Sequence, residues 1–222
     1  MVKLNIQKTL HGSGGSMSLD VAVQIEEGSF VVLMGESGSG KTTLLRVLAG
    51  LEKAEGEIVV SGKSWAKVSP QNREIGFVFQ DYALFDNMSV EENLLFVKDD
   101  KPLAEKLLAL TELTALASRN VQTLSGGQKQ RISLCRAMMK QPKLLLMDEP
   151  LSALDEKMSV ILQEEISKLH KAFGTTTIMV SHDANSAYAL ADRIIVLSQG
   201  EVIQDGSSEV VLKKEQKTVY SL

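Results

Sequence analysis

The run Gly35-Glu36-Ser37-Gly38-Ser39-Gly40-Lys41-Thr42 fits the spacing G-x-x-x-x-G-K-[ST] at every fixed position. Its glycines let backbone N–H groups converge on phosphate oxygens with no Cβ in the way, and a helix opening at Lys41 adds its partial positive charge. Lys41 is expected to reach β- and γ-phosphates as a point charge, with the Thr42 hydroxyl on Mg²⁺ and Thr43 beside it in the first helical turn. A second group of acids, Asp148-Glu149, follows the apolar run Leu144–Met147. Acids leaving the C-terminal end of a buried strand stand at the edge where phosphate loops gather in a parallel sheet. There Asp148 can hold Mg²⁺ through water and Glu149 can polarise an attacking water. Such a pair alone commonly just ends a strand; the phosphate loop is what suggests a use for it.

Leu124-Ser125-Gly126-Gly127-Gln128 has the makings of a second anion cradle, a serine and two glycines opening a helix expected from Gln128 to Lys140. Ile132, Cys135 and Met139 should line that helix's buried side. Without context the same string is simply a flexible cap. Two further polar residues end apolar runs: Gln80 after Phe77-Val78-Phe79, and His182 after Thr177–Ser181. A lone histidine at a strand end is more often structural than catalytic. His170, near a helix C-terminus, reads as solvated or favoured by the helix dipole.

The elements that must position these groups alternate between short β-rich runs and helical patterns. Phe30–Met34, Phe77–Phe79, Leu144–Met147 and Thr177–Val180 are apolar on both faces, as strands of a helix-covered parallel sheet must be. Lys41–Ala49 predicts a helix stopped by Gly50. Met158, Ile161, Leu162, Ile166, Leu169 and Phe173 form an amphipathic stripe closed by Gly174. Arg193–Val202 predicts a hairpin turning at Gln199-Gly200. From Asp81 to Gln141 strand signals are few and helical ones several, including a capping box at Ser89-Val90-Glu91-Glu92 and a helix former run from Leu103 to Leu113. This stretch is expected to be a helical insertion, residues 81–141, within an α/β core. Ser61–Pro70, with Trp65, is expected to be a surface loop.

The chain has 222 residues, 44% hydrophobic and 23% charged, ordinary values for a globular domain. A net charge of −4 argues against a general nucleic-acid binder, and none is expected as a partner. The single cysteine, Cys135, excludes an intramolecular disulfide and fits a reducing compartment. No apolar run approaches the length of a signal peptide or a membrane span, so any service to a membrane is expected to come through partners.

Together these residues resemble the ATP-binding cassette (ABC) ATPases. Gly35–Thr42 matches the family's phosphate loop and Asp148-Glu149 its metal and water acids. Leu124–Gln128 matches its signature and Leu151-Ser152-Ala153-Leu154-Asp155 its D-loop. Gln80 resembles the family's Q-loop glutamine, a metal and water contact, and His182 its switch histidine on the γ-phosphate. The resemblance covers roughly residues 2–206. It implies an α/β phosphate-loop NTPase core with a mainly parallel sheet, an N-terminal antiparallel β part and the inserted helical subdomain, all as one domain over 1–222. It also implies hydrolysis of ATP with Mg²⁺ by a homodimer or paired cassette. The loop of one subunit and Ser125, Gly126, Gly127 and Gln128 of the other then share each ATP, and Asp155 ends the D-loop.

One departure concerns the base. The family usually places an aromatic ring ahead of the loop to stack on adenine, and Leu10–Ser16 holds none; His11 is the candidate to stack instead, with a plain loop role as the alternative. The D-loop, with Asn72–Gln80 and Asp81–Phe85, resembles importers of molybdate, sulfate, polyamines and sugars. That resemblance implies transmembrane permease subunits, a solute-binding protein and a peripheral place on the cytoplasmic face of the membrane. An ATPase of lipoprotein- or division-type extraction, or a soluble ABC ATPase, is the alternative. Those importers often continue into a regulatory C-terminal β domain, which is not expected after the hairpin here.

Overall fold

In chain order the elements begin with β1 (Val2–Gly12), β2 (Gly15–Ile25), β3 (Phe30–Met34), α1 (Lys41–Ala49), β4 (Glu55–Val60) and β5 (Lys63–Ser64). There follow β6 (Ile75–Val78), α2 (Val90–Leu95), α3 (Lys101–Leu110), α4 (Gly126–Met138), β7 (Leu144–Asp148) and α5 (Glu156–Phe173). The last are β8 (Thr176–Val180), α6 (Ala184–Leu190), β9 (Arg193–Ser198) and β10 (Glu201–Gly206). This computed structural model describes residues 1–12 and 15–212; Ser13, Gly14 and 213–222, hence part of the Leu10–Ser16 neighbourhood and the stretch toward Leu222, lie outside the described residues. The chain divides into two compact units, Met1–Arg73 with Thr176–Leu222, and Glu74–Thr175.

The first unit is built on a mixed sheet ordered β5-β4-β1-β2-β10-β9-β3-β8. Its N-terminal part is antiparallel: β1 pairs β2 from Val2 opposite Ile25 to Gly12 opposite Gly15, and β4 on its other side. The strands alternate, with Leu4, Ile6, Leu19, Val21 and Val23 buried and their neighbours exposed. β3 is buried throughout and runs parallel to both β8 and β9. Its two-sided burial is the reason its sequence shows no alternation. α1 buries Leu44, Leu45 and Leu48 against this unit, each contributing about 1.5–3 kcal/mol. The β9–β10 hairpin turns at Gln199 and Gly200, both with positive φ (47° and 84°), the geometry of a two-residue turn.

Trp65 corrects the surface-loop expectation. It is only 5% exposed, and the Arg73 guanidinium lies 5.4 Å from its ring centre. Arg73 donates to the carbonyls of Trp65 (3.1 Å), Val68 (3.1 Å) and Val47 (2.9 Å), and also to Leu48. It therefore caps the C-terminal end of α1 with a positive charge, the sign that end favours. Burial pulls its pKa down from the usual arginine value.

The second unit pairs β6 with β7 in parallel, Ile75 opposite Leu144 through Val78 opposite Met147. Between them in sequence, residues 81–141 form helices and short turns, with one isolated bridge, Ser89 to Asn120, among the described residues. The capping box at α2 forms as the sequence indicates: Ser89 Oγ accepts from Glu92 N, and Ser89 N donates to the Glu92 carboxylate at 2.7 Å. α4 begins two residues earlier than expected, at Gly126, and ends at Met138 rather than Lys140. Ser125 is its N-cap in a second capping box with Gln128, so the glycines are helical rather than preceding the helix. Ile132, Cys135 and Met139 are buried as expected.

Candidate functional site

The phosphate loop leaves the C-terminal end of β3 and enters α1. Gly35 has φ 134°, and a Cβ there would stand 2.0 Å from the Leu197 carbonyl oxygen, so only glycine fits. Gly40 caps α1 in the left-handed region, with no side-chain cap and no acid in the first turn to oppose the helix's positive end. Lys41 is nearly buried, and its Nζ donates to the carbonyls of Gly35 (2.8 Å) and Glu36 (2.7 Å). The ammonium thus holds the loop's own rim together, already inside the cradle that phosphate oxygens need. Glu36, Ser37, Gly38 and Thr42 are exposed, Thr43 half-exposed and Ser39 buried, its Oγ 3.4 Å from Lys41 Nζ.

His182 belongs to the same unit. β8 lies beside β3 with Val180 opposite Leu33, and Ser181 N donates to Leu33 O at 3.2 Å. His182 therefore leaves the sheet at the edge where the phosphate loop also leaves it, and it is exposed. The next residue, Asp183, caps α6 through the N–H groups of Asn185 and Ser186. The Ser186 hydroxyl and these N–H groups hold its carboxyl below the usual aspartate range.

His11 does not stand with the loop. On β1 the inward face carries Leu4, Ile6 and Leu10, and the period of two puts His11 on the opposite, exposed face with Thr9. Leu10 and Leu19 are the side chains that approach Gly40. Leu10 thus holds the loop-facing place on β1 and His11 the exposed one, as the strand's period of two indicates.

In the second unit, Gln80 lies two residues past Val78 and Glu149 two past Met147, the last pair of the parallel β6–β7 register. Gln80, Asp148 and Glu149 therefore share one strand edge, with Gln80 exposed and both acids half-exposed. Glu149 takes φ 48°, and its carbonyl accepts from the Ser152 hydroxyl at 3.0 Å, fixing the turn that aims it. Oxygen-only donors such as Thr42 and Asp148 suit a hard cation that keeps several waters, as Mg²⁺ does.

The signature string opens α4, and its glycines stand close to neighbouring side chains. A Cβ on Gly126 would meet Tyr82 Oη at 3.0 Å, and one on Gly127 would meet Met158 Cε at 2.7 Å. Asp155 is exposed and caps α5, its Oδ1 accepting from Met158 N at 2.9 Å.

Residues 19–152 match the family model described as ABC transporter. The chain belongs to the ABC transporter family. It is 43% identical over 210 residues to the Fe(3+) ions import ATP-binding protein FbpC 2 of Rhizobium meliloti, a match covering 90% of this chain and 53% of that protein. It is 45% identical over 205 residues to the sulfate/thiosulfate import ATP-binding protein CysA of Bacillus cereus, covering 86% and 57%. It is 43% identical over 220 residues to the spermidine/putrescine import ATP-binding protein PotA of Borrelia garinii, covering 95% and 63%. The chain thus spans little more than half the length of these curated relatives. Among solved structures it is similar to the dimeric post-hydrolysis state of the ATP-binding cassette MJ0796 bound to ADP and Pi. That match has a TM-score of 0.81 and 32% identity over 94% of this chain and 99% of that one.

In this ABC-family chain several supporting residues escape the motif reading. Arg131 on α4 and Glu165 on α5 form a buried ion pair, Nε to Oε2 at 2.8 Å, and Arg131 also donates to Thr111 O. Glu165 sits among Leu162, Ile166 and Leu169, so a charge inside the apolar stripe was the available signal. Cys135, beside Thr111, is fully buried and pushed up to about 12 by burial, which leaves its thiol inert. After Gln80, Tyr82 and Ala83 both take positive φ, 62° and 48°. Arg136 on α4 donates to both of their carbonyls, at 3.2 and 2.6 Å, and Ser133 Oγ donates to Tyr82 O at 3.0 Å.

Proposed function

We propose that the chain binds and hydrolyses ATP with Mg²⁺ and energises solute import through separate permease subunits, from the cytoplasmic face of the membrane. The observation that carries this reading is the Gly35–Thr42 loop, whose only-glycine positions and internal Lys41 ammonium make a ready phosphate cradle. In this reading the Lys41 ammonium shifts from its loop carbonyls to the β- and γ-phosphates. Thr42, Asp148 and Gln80 would hold Mg²⁺, which when bound neutralises charge developing on the phosphates. Glu149 polarises the attacking water, and His182 donates to the γ-phosphate.

Residues 1–222 act as a single ABC ATPase domain with 81–141 as its helical subdomain. Two copies pair head to tail, with Ser125–Gln128 of each completing the other's nucleotide site and Asp155 at the seam. A dimer of the similar cassette MJ0796 supports that pairing. The relatives named for sulfate/thiosulfate, Fe(3+) and spermidine/putrescine import support the importer reading. Within it, an oxyanion such as molybdate is the proposed solute, delivered by a solute-binding protein.

The test is phosphate release from Mg-ATP. Wild type turns over, whereas Glu149→Gln retains ATP but does not hydrolyse it, because an amide cannot polarise water as a carboxylate does. Near-normal turnover by Glu149→Gln would remove Glu149 from the chemistry, and a wild type that never hydrolyses ATP would remove the ATPase reading.

A further inference from the structure

The two ends of α1 are held differently. At the N-terminal end Gly40 supplies no side-chain cap, and Lys41 Nζ binds the loop together through the carbonyls of Gly35 and Glu36. At the far end Arg73 Nη1 donates to Val47 O (2.9 Å) and to Leu48 O, carbonyls of the last turn. The same guanidinium donates through Nε to Val68 O and through Nη2 to Trp65 O, both at 3.1 Å. Trp65 N in turn donates to Ile58 O on β4 at 2.8 Å. One planar group therefore joins the end of α1 to a segment anchored on the sheet, all within the first unit. Gly50 leaves room for it, since a Cβ there would stand 2.8 Å from Arg73 Cζ and Nε. A helix of nine residues is about 13 Å long and moves as one rod. What Arg73 fixes at one end is fixed at Lys41 too.

We infer that Arg73 is a positioning residue for the phosphate cradle, setting through α1 where Lys41, Thr42 and the loop's N–H groups stand before an anion arrives. The inference rests on the reading of Gly35–Thr42 as a triphosphate cradle. A cradle already in place loses no binding energy to ordering. When the Lys41 ammonium leaves its loop carbonyls for phosphate, the grip at the far end does not depend on that exchange. Coupling between two sites is reciprocal, so an anion seated on the loop must also strengthen the grip of Arg73. Trp65 lies at that grip, its ring centre 5.4 Å from Arg73 Cζ, and it is the only tryptophan in the chain. Its emission is therefore a gauge of loop occupancy.

Calorimetric titration with inorganic tripolyphosphate and with Mg-ATP, paired with Trp65 emission well below the melting temperature, tests this. Wild type should bind both probes, and its emission should shift as either saturates. Arg73→Met should bind both about tenfold more weakly, within the usual span of coupling between sites, and show no shift. Arg73→Lys keeps the charge without the planar fork, so it should fold where Arg73→Met does not and still bind about threefold more weakly. Val2→Ala truncates a buried side chain at the end of β1 farthest from Leu10. It should lower the melting temperature yet leave affinity and the emission shift as in wild type. The inference is overturned if both Arg73 variants bind as wild type does, or if saturating tripolyphosphate leaves wild-type emission unchanged. It is equally overturned if Val2→Ala, at a similar loss of melting temperature, weakens binding as much as Arg73→Met. Wild type that binds neither probe overturns the cradle reading itself.

Discussion

Replacing Glu165 by glutamine removes the charge that answers Arg131 while keeping the side chain's shape. The two side chains are 4% and 12% exposed, so neither ion has water to fall back on. A guanidinium does not neutralise in proteins, and the variant leaves it facing an amide and the Thr111 carbonyl. Breaking a buried pair from one side costs about 3–5 kcal/mol. In a chain of this length each kcal/mol lowers the melting temperature by about 2–4 °C, so a fall of roughly 6–20 °C is expected. Arg131→Met with Glu165→Leu should recover most of the loss, because no lone charge stays buried. A cost below about 1 kcal/mol for Glu165→Gln would refute the reasoning.

Other substitutions probe the site more directly. Lys41→Ala should weaken Mg-ATP binding by calorimetry and, with it, hydrolysis; unchanged affinity would remove Lys41 from the phosphates. Gly35→Ala forces a Cβ to 2.0 Å from Leu197 O at φ 134°, so nucleotide binding should be lost with about 3 kcal/mol or more of stability in chemical unfolding. Phe85 is 37% exposed and stacks at a tilt on Phe96, itself 63% exposed. Phe85→Ala should therefore shift the melting temperature by only about 2 °C and leave basal ATPase intact, while co-purification with permease subunits falls.

The phosphate loop was legible because each residue type answers a local demand of backbone geometry, and β3, β7 and β8 because two-sided burial erases alternation. Features that depend on distant partners were not. Trp65 looked like loop because nothing near it in sequence announces Arg73, which arrives from beyond Pro70 to cap α1. The start of α4 lies at Gly126 rather than Gln128 because serine followed three residues later by glutamine is a capping signal, which makes Ser125 the cap. Leu10 rather than His11 faces the loop because the strand's period of two assigns it that place. The relation of Gln80 to Glu149 needed the β6–β7 register, which no single run contains.

Two consecutive residues at positive φ, Tyr82 and Ala83, are costly for side chains with a Cβ, on the order of 1–3 kcal/mol each. Arg136 and Ser133 offset that cost by gripping their carbonyls from α4. The link after Gln80 is therefore a wound spring, and α4 is its latch. A small tilt of α4 lengthens those hydrogen bonds together, and the spring then has somewhere to go. The same helix opens on Ser125, so whatever seats itself on the signature bears directly on the catch.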